Sequence, residues 1–176
     1  MQIERYSKLV VINVLTISRV GLVLYGFLYP SDLFFFFISI WASMSDFLDG
    51  FLARRFNLIT KFGEQLDQIS DKVFHFGMFF ILLNSKLIHP YFFLLFLIRE
   101  FLILALRYLN ISGKSSNFLG KLKTLLSYGF IVLLFAKKVF APTDIFMETP
   151  MVWIFELVIL LISYFSMALS LKKSSK

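Results

Sequence analysis

The sequence predicts an all-α integral membrane protein with six transmembrane helices. The chain of 176 residues is 59% hydrophobic, contains 24 Phe and has a mean hydropathy of +0.80, which is too apolar for an ordinary soluble domain. Apolar stretches of roughly 20 residues, the length that crosses the hydrocarbon of a bilayer, recur along the chain. This length suits one domain, so we expect a single membrane-embedded domain over residues 1–176.

Six apolar stretches define the predicted helices, and helix-breaking residues separate them. The stretches cover residues 9–29, 33–54, 64–83, 91–109, 120–140 and 151–171. The first is predicted to end before Pro30, the fourth to begin after Pro90 and the sixth after Pro150, because proline is poorly tolerated inside a helix. The breaks at 57–63 and 110–117 instead contain Asn and Gly.

Positive charges indicate the orientation of the predicted helices. One set of loops and ends carries Arg5, Lys8, Arg54, Arg55, Lys61, Arg107, Lys114, Lys121, Lys123, Lys172, Lys173 and Lys176. The opposite set carries only Lys86, Lys137 and Lys138, so the positive-inside rule puts both termini in the cytoplasm. The net charge of +7 then reflects basic loops at a membrane face, and no nucleic-acid partner is expected. We expect the first stretch to be a retained helix, since no small-residue cleavage site follows it.

Four aspartates lie at helical spacings in and after the second stretch. The pattern reads Asp46-x-x-Asp49-Gly50-x-x-Ala53-Arg54, eight further residues, then Gly63-x-x-x-Asp67-x-x-x-Asp71. Asp46 and Asp49 share one helix face, and Asp67 and Asp71 share another. Antiparallel packing of the second and third helices would bring the two faces together at the cytoplasmic side. Each acid costs roughly 2.5–3.5 kcal/mol at the centre of a membrane helix, so the group is expected to hold a cation.

The chemistry of these acids favours a divalent metal. Carboxylate oxygens suit hard cations such as Mg²⁺ or Mn²⁺, and four carboxylates can bridge two ions that clamp a phosphoryl group. Small residues that allow a ligand or a neighbouring helix to approach lie among them: Gly50, Ala53 and Gly63. The alternative is that the acids are helix caps and salt-bridge partners of Arg54, Arg55 and Lys72.

This motif resembles the signature of the CDP-alcohol phosphotransferases, integral membrane enzymes with six helices, and all of its fixed positions are present. The resemblance implies transfer of a phosphatidyl or related group from a CDP-linked donor to an alcohol, with release of CMP. It further implies a two-metal centre held by Asp46, Asp49, Asp67 and Asp71, with Asp71 as general base. The residues that it aligns with the CDP moiety are Asp49, Gly50, Ala53, Arg54 and Gly63. Related enzymes are commonly homodimers, so a homodimer is expected.

A basic group follows in the fourth and fifth helices and suits an acceptor that carries its own phosphate. Its members are Arg99, Arg107, Lys121 and Lys123. The segments that resemble the branch of the family using glycerol 3-phosphate are Arg99-Glu100-Phe101 to Leu106-Arg107, Gly120-Lys121-Leu122-Lys123-Thr124 and Asn13-x-Leu15-Thr16-x-x-Arg19. The resemblance implies transfer from CDP-diacylglycerol to glycerol 3-phosphate, giving phosphatidylglycerophosphate in phospholipid biosynthesis. With the orientation given by the positive charges, we expect a protein of a bacterial-type inner membrane whose active site faces the cytoplasm.

Other interpretations of these patterns stay open. The basic group also fits positive-inside topology and contact with lipid phosphates. A sibling phosphatidyltransferase would use serine, inositol phosphate or another acceptor. Acids inside membrane helices also mark ion paths, which is the pattern of a divalent-cation transporter, and a structural scaffold would tolerate Asp71→Asn.

Overall fold

A computed structural model describes the backbone of residues 2–55, 60–109, 118–141 and 150–174. Within these ranges, the side chains of residues 2–9, 11–12, 47, 49–55, 61–62, 64, 107–108 and 173–174 lie outside the description. The described residues form six α-helices: α1 (Gln2–Leu28), α2 (Asp32–Arg55), α3 (Lys61–Asn84), α4 (Pro90–Tyr108), α5 (Phe118–Phe140) and α6 (Pro150–Ser174).

The all-α class and the six predicted helices are confirmed, with one boundary that differs clearly. Helix α1 begins at Gln2 instead of residue 9, because a helix needs only backbone hydrogen bonds and continues through the polar residues that precede its apolar part. Pro90 and Pro150 occupy the first positions of α4 and α6. Proline fits there because its missing N–H would have no partner inside the helix.

Two of the described helices are long and apolar enough to cross a bilayer. They cover Phe118–Phe140 and Pro150–Lys172, and a shorter apolar segment covers Asn13–Leu28. Acidic residues lie inside α2 and α3, for example Asp46 and Asp67. Crossing of the membrane by all six helices stays a prediction.

The chain divides into two compact units, the first made of residues 1–78 and 135–140. In this unit α1 packs closely on α2 and α3. The ring of Phe35 lies where a side chain at Gly26 would be, and Val23 lies where one at Gly77 would be. These two glycines therefore allow the close approach that positions α1 beside the acidic residues of α2 and α3.

The second unit comprises residues 79–134 and 141–176, and its core is aromatic. Phe79 makes edge-to-face contacts with Phe92 and Phe96, at centroid distances of 5.2 and 5.1 Å. Helix α4 packs against α6. Helices α3 and α5 each contribute residues to both units. The single domain over residues 1–176 stays a prediction.

Candidate active site

Three aspartates from two helices meet in the first unit. Asp46 lies just past the middle of α2, while Asp67 and Asp71 lie one turn apart in the first half of α3. One carboxylate oxygen from each lies within 4.8 Å of the other two. All three side chains are half-buried, so the cluster is partly accessible to solvent. The structure thus brings together three of the four aspartates that the sequence singles out.

A buried arginine from α1 joins this cluster. The side chain of Arg19 is 0% exposed, and its Nη1 donates to Asp46 Oδ1 at 3.2 Å and to Asp71 Oδ1. Its Nη2 donates to Asp67 Oδ1 at 2.9 Å. Hydrogen bonds between ionised groups are stronger than neutral ones, so one guanidinium holds three carboxylates from two other helices. The cluster still carries an excess of negative charge.

The contacts of Arg19 with these acids were not predicted from the sequence. The counter-charges near the acids in sequence are Arg54, Arg55 and Lys72. The signal for Arg19 was its position inside an apolar helix, where a charge requires a partner. The partner could not be named because it lies 27 to 52 residues away.

Gly63 lies in the first turn of α3, the helix that also carries Asp67 and Asp71. Thr60 precedes α3 as its N-cap, and its Oγ1 accepts a hydrogen bond from the Gly63 N–H at 3.0 Å. A Cβ at Gly63 would lie 3.0 Å from the same oxygen and 3.8 Å from Asn13 Oδ1. Because glycine has no Cβ, the first turn of α3 forms without crowding the capping hydroxyl of Thr60.

His75 continues the stripe of Asp67 and Asp71 by one more helical turn. Its Nδ1 lies 2.8 Å from the backbone oxygen of Asp71, and the ring is buried edge-to-face against Phe74. This environment is that of a packed polar residue within α3.

Five of the predicted site residues have side chains outside those that the structure describes. Asp49, Gly50, Ala53 and Arg54 lie in the last two turns of α2, and Arg107 lies at the end of α4. Asp49 follows Asp46 by three residues, so its backbone is on the same side of α2. Their predicted roles stay predictions.

The donor set of the aspartate cluster fits a hard divalent cation. Mg²⁺ bonds oxygen at roughly 2.0–2.1 Å, so ligands on opposite sides of the ion lie about 4 Å apart. The three carboxylate oxygens lie within 4.8 Å of one another, which is close to that spacing. These three residues could therefore hold a divalent metal.

A second charged cluster lies in the other unit, around Glu100 of α4. Arg99 and Lys123 both donate to Glu100 Oε1, the latter at 2.7 Å. The Nε of Arg99 donates to the backbone oxygen of Ser163 in α6 at 3.0 Å, and Lys123 Nζ lies 5.4 Å from the centre of the Phe96 ring. Two of the four predicted acceptor-site cations are thus together.

Two further observations concern α5 and α6. Lys121, another predicted acceptor-site residue, is exposed on α5. The contribution of α6 was missed, since Ser163 acts through its backbone carbonyl and an apolar helix gives no sequence signal for that. Buried polar residues nevertheless recur on α6, at Ser163, Ser166 and Ser170.

Comparisons with known proteins bear on the chemistry of both clusters. A family model described as CDP-alcohol phosphatidyltransferase matches residues 9–169. Similar curated proteins carry the name CDP-diacylglycerol–glycerol-3-phosphate 3-phosphatidyltransferase. The one from Rickettsia typhi is 32% identical over 142 residues, covering 72% of this chain and 76% of the relative. The one from Rickettsia bellii is 44% identical over 66 residues, and the one from Bacillus subtilis 37% over 87 residues.

The length of these alignments differs between the relatives. The Rickettsia bellii alignment covers 38% of this chain and 36% of the relative, and the Bacillus subtilis alignment 47% and 45%. This chain therefore aligns with less than half of those two relatives and with about three quarters of the Rickettsia typhi protein.

Proposed function

The chain belongs to the CDP-alcohol phosphatidyltransferase family, and from that premise we propose that it transfers a phosphatidyl group from CDP-diacylglycerol to glycerol 3-phosphate. The products are phosphatidylglycerophosphate and CMP, which makes the reaction a step of phospholipid biosynthesis. The single observation that carries the proposal is the meeting of Asp46, Asp67 and Asp71 within 4.8 Å in a chain similar to enzymes with that printed name.

The donor side of the reaction belongs to the aspartate cluster. Asp46, Asp67 and Asp71, together with Asp49, hold Mg²⁺ or Mn²⁺, and four carboxylates suffice for two ions. When bound, the cations supply positive charge against the donor diphosphate and the leaving CMP. The CDP moiety lies along Asp49, Gly50, Ala53, Arg54 and Gly63. The narrow first turn of α3 at Gly63 supports close approach of the nucleotide.

The chemical step is a displacement at phosphorus. The hydroxyl oxygen of the acceptor forms a bond to the phosphorus of the phosphatidyl group, while the bond from that phosphorus to the oxygen of CMP breaks. The carboxylate of Asp71 takes the hydroxyl proton as general base, which keeps proton and charge in balance. Asp71 suits this role because it is half-buried and partly open to a ligand.

The acceptor side belongs to the basic cluster in the second unit. Arg99 and Lys123 bind the phosphate of glycerol 3-phosphate, and Arg107 and Lys121 complete the group. Glu100 orients the first two cations through its Oε1. Two cations that share one carboxylate keep a positive excess, which suits a phosphate.

The protein is membrane-associated, as its two long apolar helices and its family indicate. We propose further that it is integral to a bacterial-type inner membrane, with both termini and the active site in the cytoplasm. The distribution of Lys and Arg supports this orientation. We also propose a homodimer, on the basis of the family resemblance alone.

The test is CMP release by the purified full chain, given CDP-diacylglycerol, Mg²⁺ and a panel of acceptors. Glycerol 3-phosphate is expected to release CMP, while serine and inositol phosphate are expected to release little. CMP release with serine or inositol phosphate instead would identify a sibling enzyme. Divalent-cation flux into liposomes without CMP release would favour a transporter and overturn the proposal.

A further inference from the structure

Arg19 contacts all three aspartates of the cluster. It comes from α1, whereas the acids come from α2 and α3, so it ties three helices together. Its side chain is 0% exposed, which makes it the most deeply buried charge of the group. Burying a cation is costly unless opposite charges surround it, and here three carboxylates do so.

The oxygens that Arg19 uses belong to the carboxylates proposed to hold the metal. The guanidinium donates to Oδ1 of Asp46, Asp67 and Asp71, and these acids are the group whose oxygens lie within reach of one ion. An oxygen that accepts a hydrogen bond from a guanidinium has less negative charge to offer a second cation. Two positive centres between the same carboxylates also repel each other.

We propose that Arg19 is a positioning residue that competes with the divalent cation for Asp46, Asp67 and Asp71 and thereby sets the metal affinity of the site. This inference rests on the metal centre of the proposed function. In the absence of metal, Arg19 neutralises the acids and keeps the three helices together. Metal binding transfers the carboxylates from the guanidinium to the ion, so part of its binding free energy is spent in displacing Arg19.

The competition predicts opposite effects of Arg19 on stability and on metal binding. Removing the cation leaves mutually repelling carboxylates, so the metal-free protein becomes less stable. The same removal leaves the oxygens available to an ion, so metal binds more tightly. A residue that merely packs the core would lower stability equally with and without metal.

The experiment uses the purified full chain and the variants Arg19→Gln, Arg19→Lys and Lys86→Gln. Lys86→Gln is the matched control, because it also removes one positive charge but at an exposed residue of the other unit. Mn²⁺ binding is measured by electron paramagnetic resonance after chelation and desalting, and the melting temperature is measured with EDTA and with saturating Mn²⁺. None of these readouts requires turnover.

We expect Arg19→Gln to bind Mn²⁺ at least about tenfold more tightly than the wild type does. Removing one nearby positive charge changes the affinity for a cation by that order. Arg19→Lys should fall between Arg19→Gln and the wild type, because lysine keeps one charge without the fork that reaches three carboxylates. Lys86→Gln should bind as the wild type does. Arg19→Gln should melt lower than the wild type in EDTA, and saturating Mn²⁺ should close that gap.

Several results would overturn the inference. Equal or weaker Mn²⁺ binding by Arg19→Gln would remove the competition, as would a melting deficit that persists at saturating Mn²⁺. Failure of Arg19→Gln to fold even when it is purified in Mn²⁺ would count as such a deficit. If the wild type itself binds no Mn²⁺, the proposed metal centre is wrong too. Mn²⁺ binding by the wild type therefore distinguishes a failure of the metal centre from a failure of the competition alone.

Discussion

Each unit contains one cluster of charged side chains, and the sign of charge that is in the majority differs between the two clusters. In the first, three carboxylates share the guanidinium of Arg19. In the second, Arg99 and Lys123 share the carboxylate of Glu100. A minority charge of opposite sign holds each group together and leaves an excess of the majority sign. We therefore expect the first cluster to attract cations and the second to attract anions, which agrees with the proposed metal-bound donor and phosphorylated acceptor.

The largest effect should follow from changing the acidic cluster at Asp71. We expect Asp71→Asn to lower kcat by about 10²–10⁴-fold, since an amide cannot take the proton of the acceptor hydroxyl. The melting temperature should change little, because the amide oxygen still accepts a hydrogen bond from Arg19. CMP release and thermal melting measure the two effects.

The matched control for this variant is Asp32→Asn, which removes an acid at the start of α2 that pairs with Lys138 instead of Arg19. It should keep nearly full activity. If Asp71→Asn retained turnover similar to that of Asp32→Asn, Asp71 could not be the base.

Changing the basic cluster should affect only the KM for the acceptor. Lys123→Gln removes a cation from the proposed phosphate site while Arg99 still contacts Glu100. A hydrogen bond to a charged group contributes roughly 1.5–3 kcal/mol, so the KM for glycerol 3-phosphate should rise about 10–100-fold. The KM for CDP-diacylglycerol should stay near the wild-type value.

The exposed Lys86 provides the control here, since Lys86→Gln also removes one positive charge from the second unit. Should Lys123→Gln and Lys86→Gln raise the KM of the acceptor equally, the effect would be general electrostatics. If Lys123→Gln raised the KM for CDP-diacylglycerol instead, the assignment of the two clusters would be reversed.

A change of shape without a change of charge should have a smaller effect. Gly63→Ala puts a methyl group 3.0 Å from the capping oxygen of Thr60. We expect the altered turn to weaken donor binding by about 1 kcal/mol, so the KM for CDP-diacylglycerol should rise roughly fivefold.

Gly129→Ala is the control for Gly63→Ala, because a Cβ there meets nothing within 4 Å. Alanine favours a helix over glycine by up to about 1 kcal/mol, so this variant should be as stable as the wild type or more stable. An unchanged donor KM in Gly63→Ala would exclude the first turn of α3 from the CDP site.

The smallest effect should come from an ion pair outside both clusters. Asp32 and Lys138 are 2.6 Å apart, and their side chains are 44% and 28% exposed. Exposed pairs of this kind contribute less than about 1 kcal/mol, because water and salt screen them. Asp32→Asn should therefore shift the melting temperature only slightly, and less at high salt. A drop as large as that of Arg19→Gln in EDTA would contradict the distinction between buried and exposed charge.

Much of the fold follows from local features of the sequence. Apolar runs set the six helices, and Pro30, Pro90 and Pro150 mark ends that the structure shares within a few residues. The start of α1 at Gln2 was missed because apolarity marks the part of a helix suited to lipid, whereas hydrogen bonding sets its full length.

In the candidate site too, some features follow from local sequence spacing and others depend on contacts between residues distant in sequence. The 3.6-residue period predicts the shared faces of Asp67 and Asp71, and a short connection predicts their approach to Asp46. The partner of Arg19 and the contact of Arg99 with the Ser163 carbonyl depend on how distant helices pack. No spacing within a helix contains that information.

The most direct test of the account is the dependence of CMP release on a divalent metal. The purified chain, given CDP-diacylglycerol and glycerol 3-phosphate, should release CMP and form phosphatidylglycerophosphate in equal amounts. EDTA should abolish both products, and excess Mg²⁺ or Mn²⁺ should restore them. Equal turnover with and without EDTA would contradict the claim that Asp46, Asp67 and Asp71 act by holding a metal.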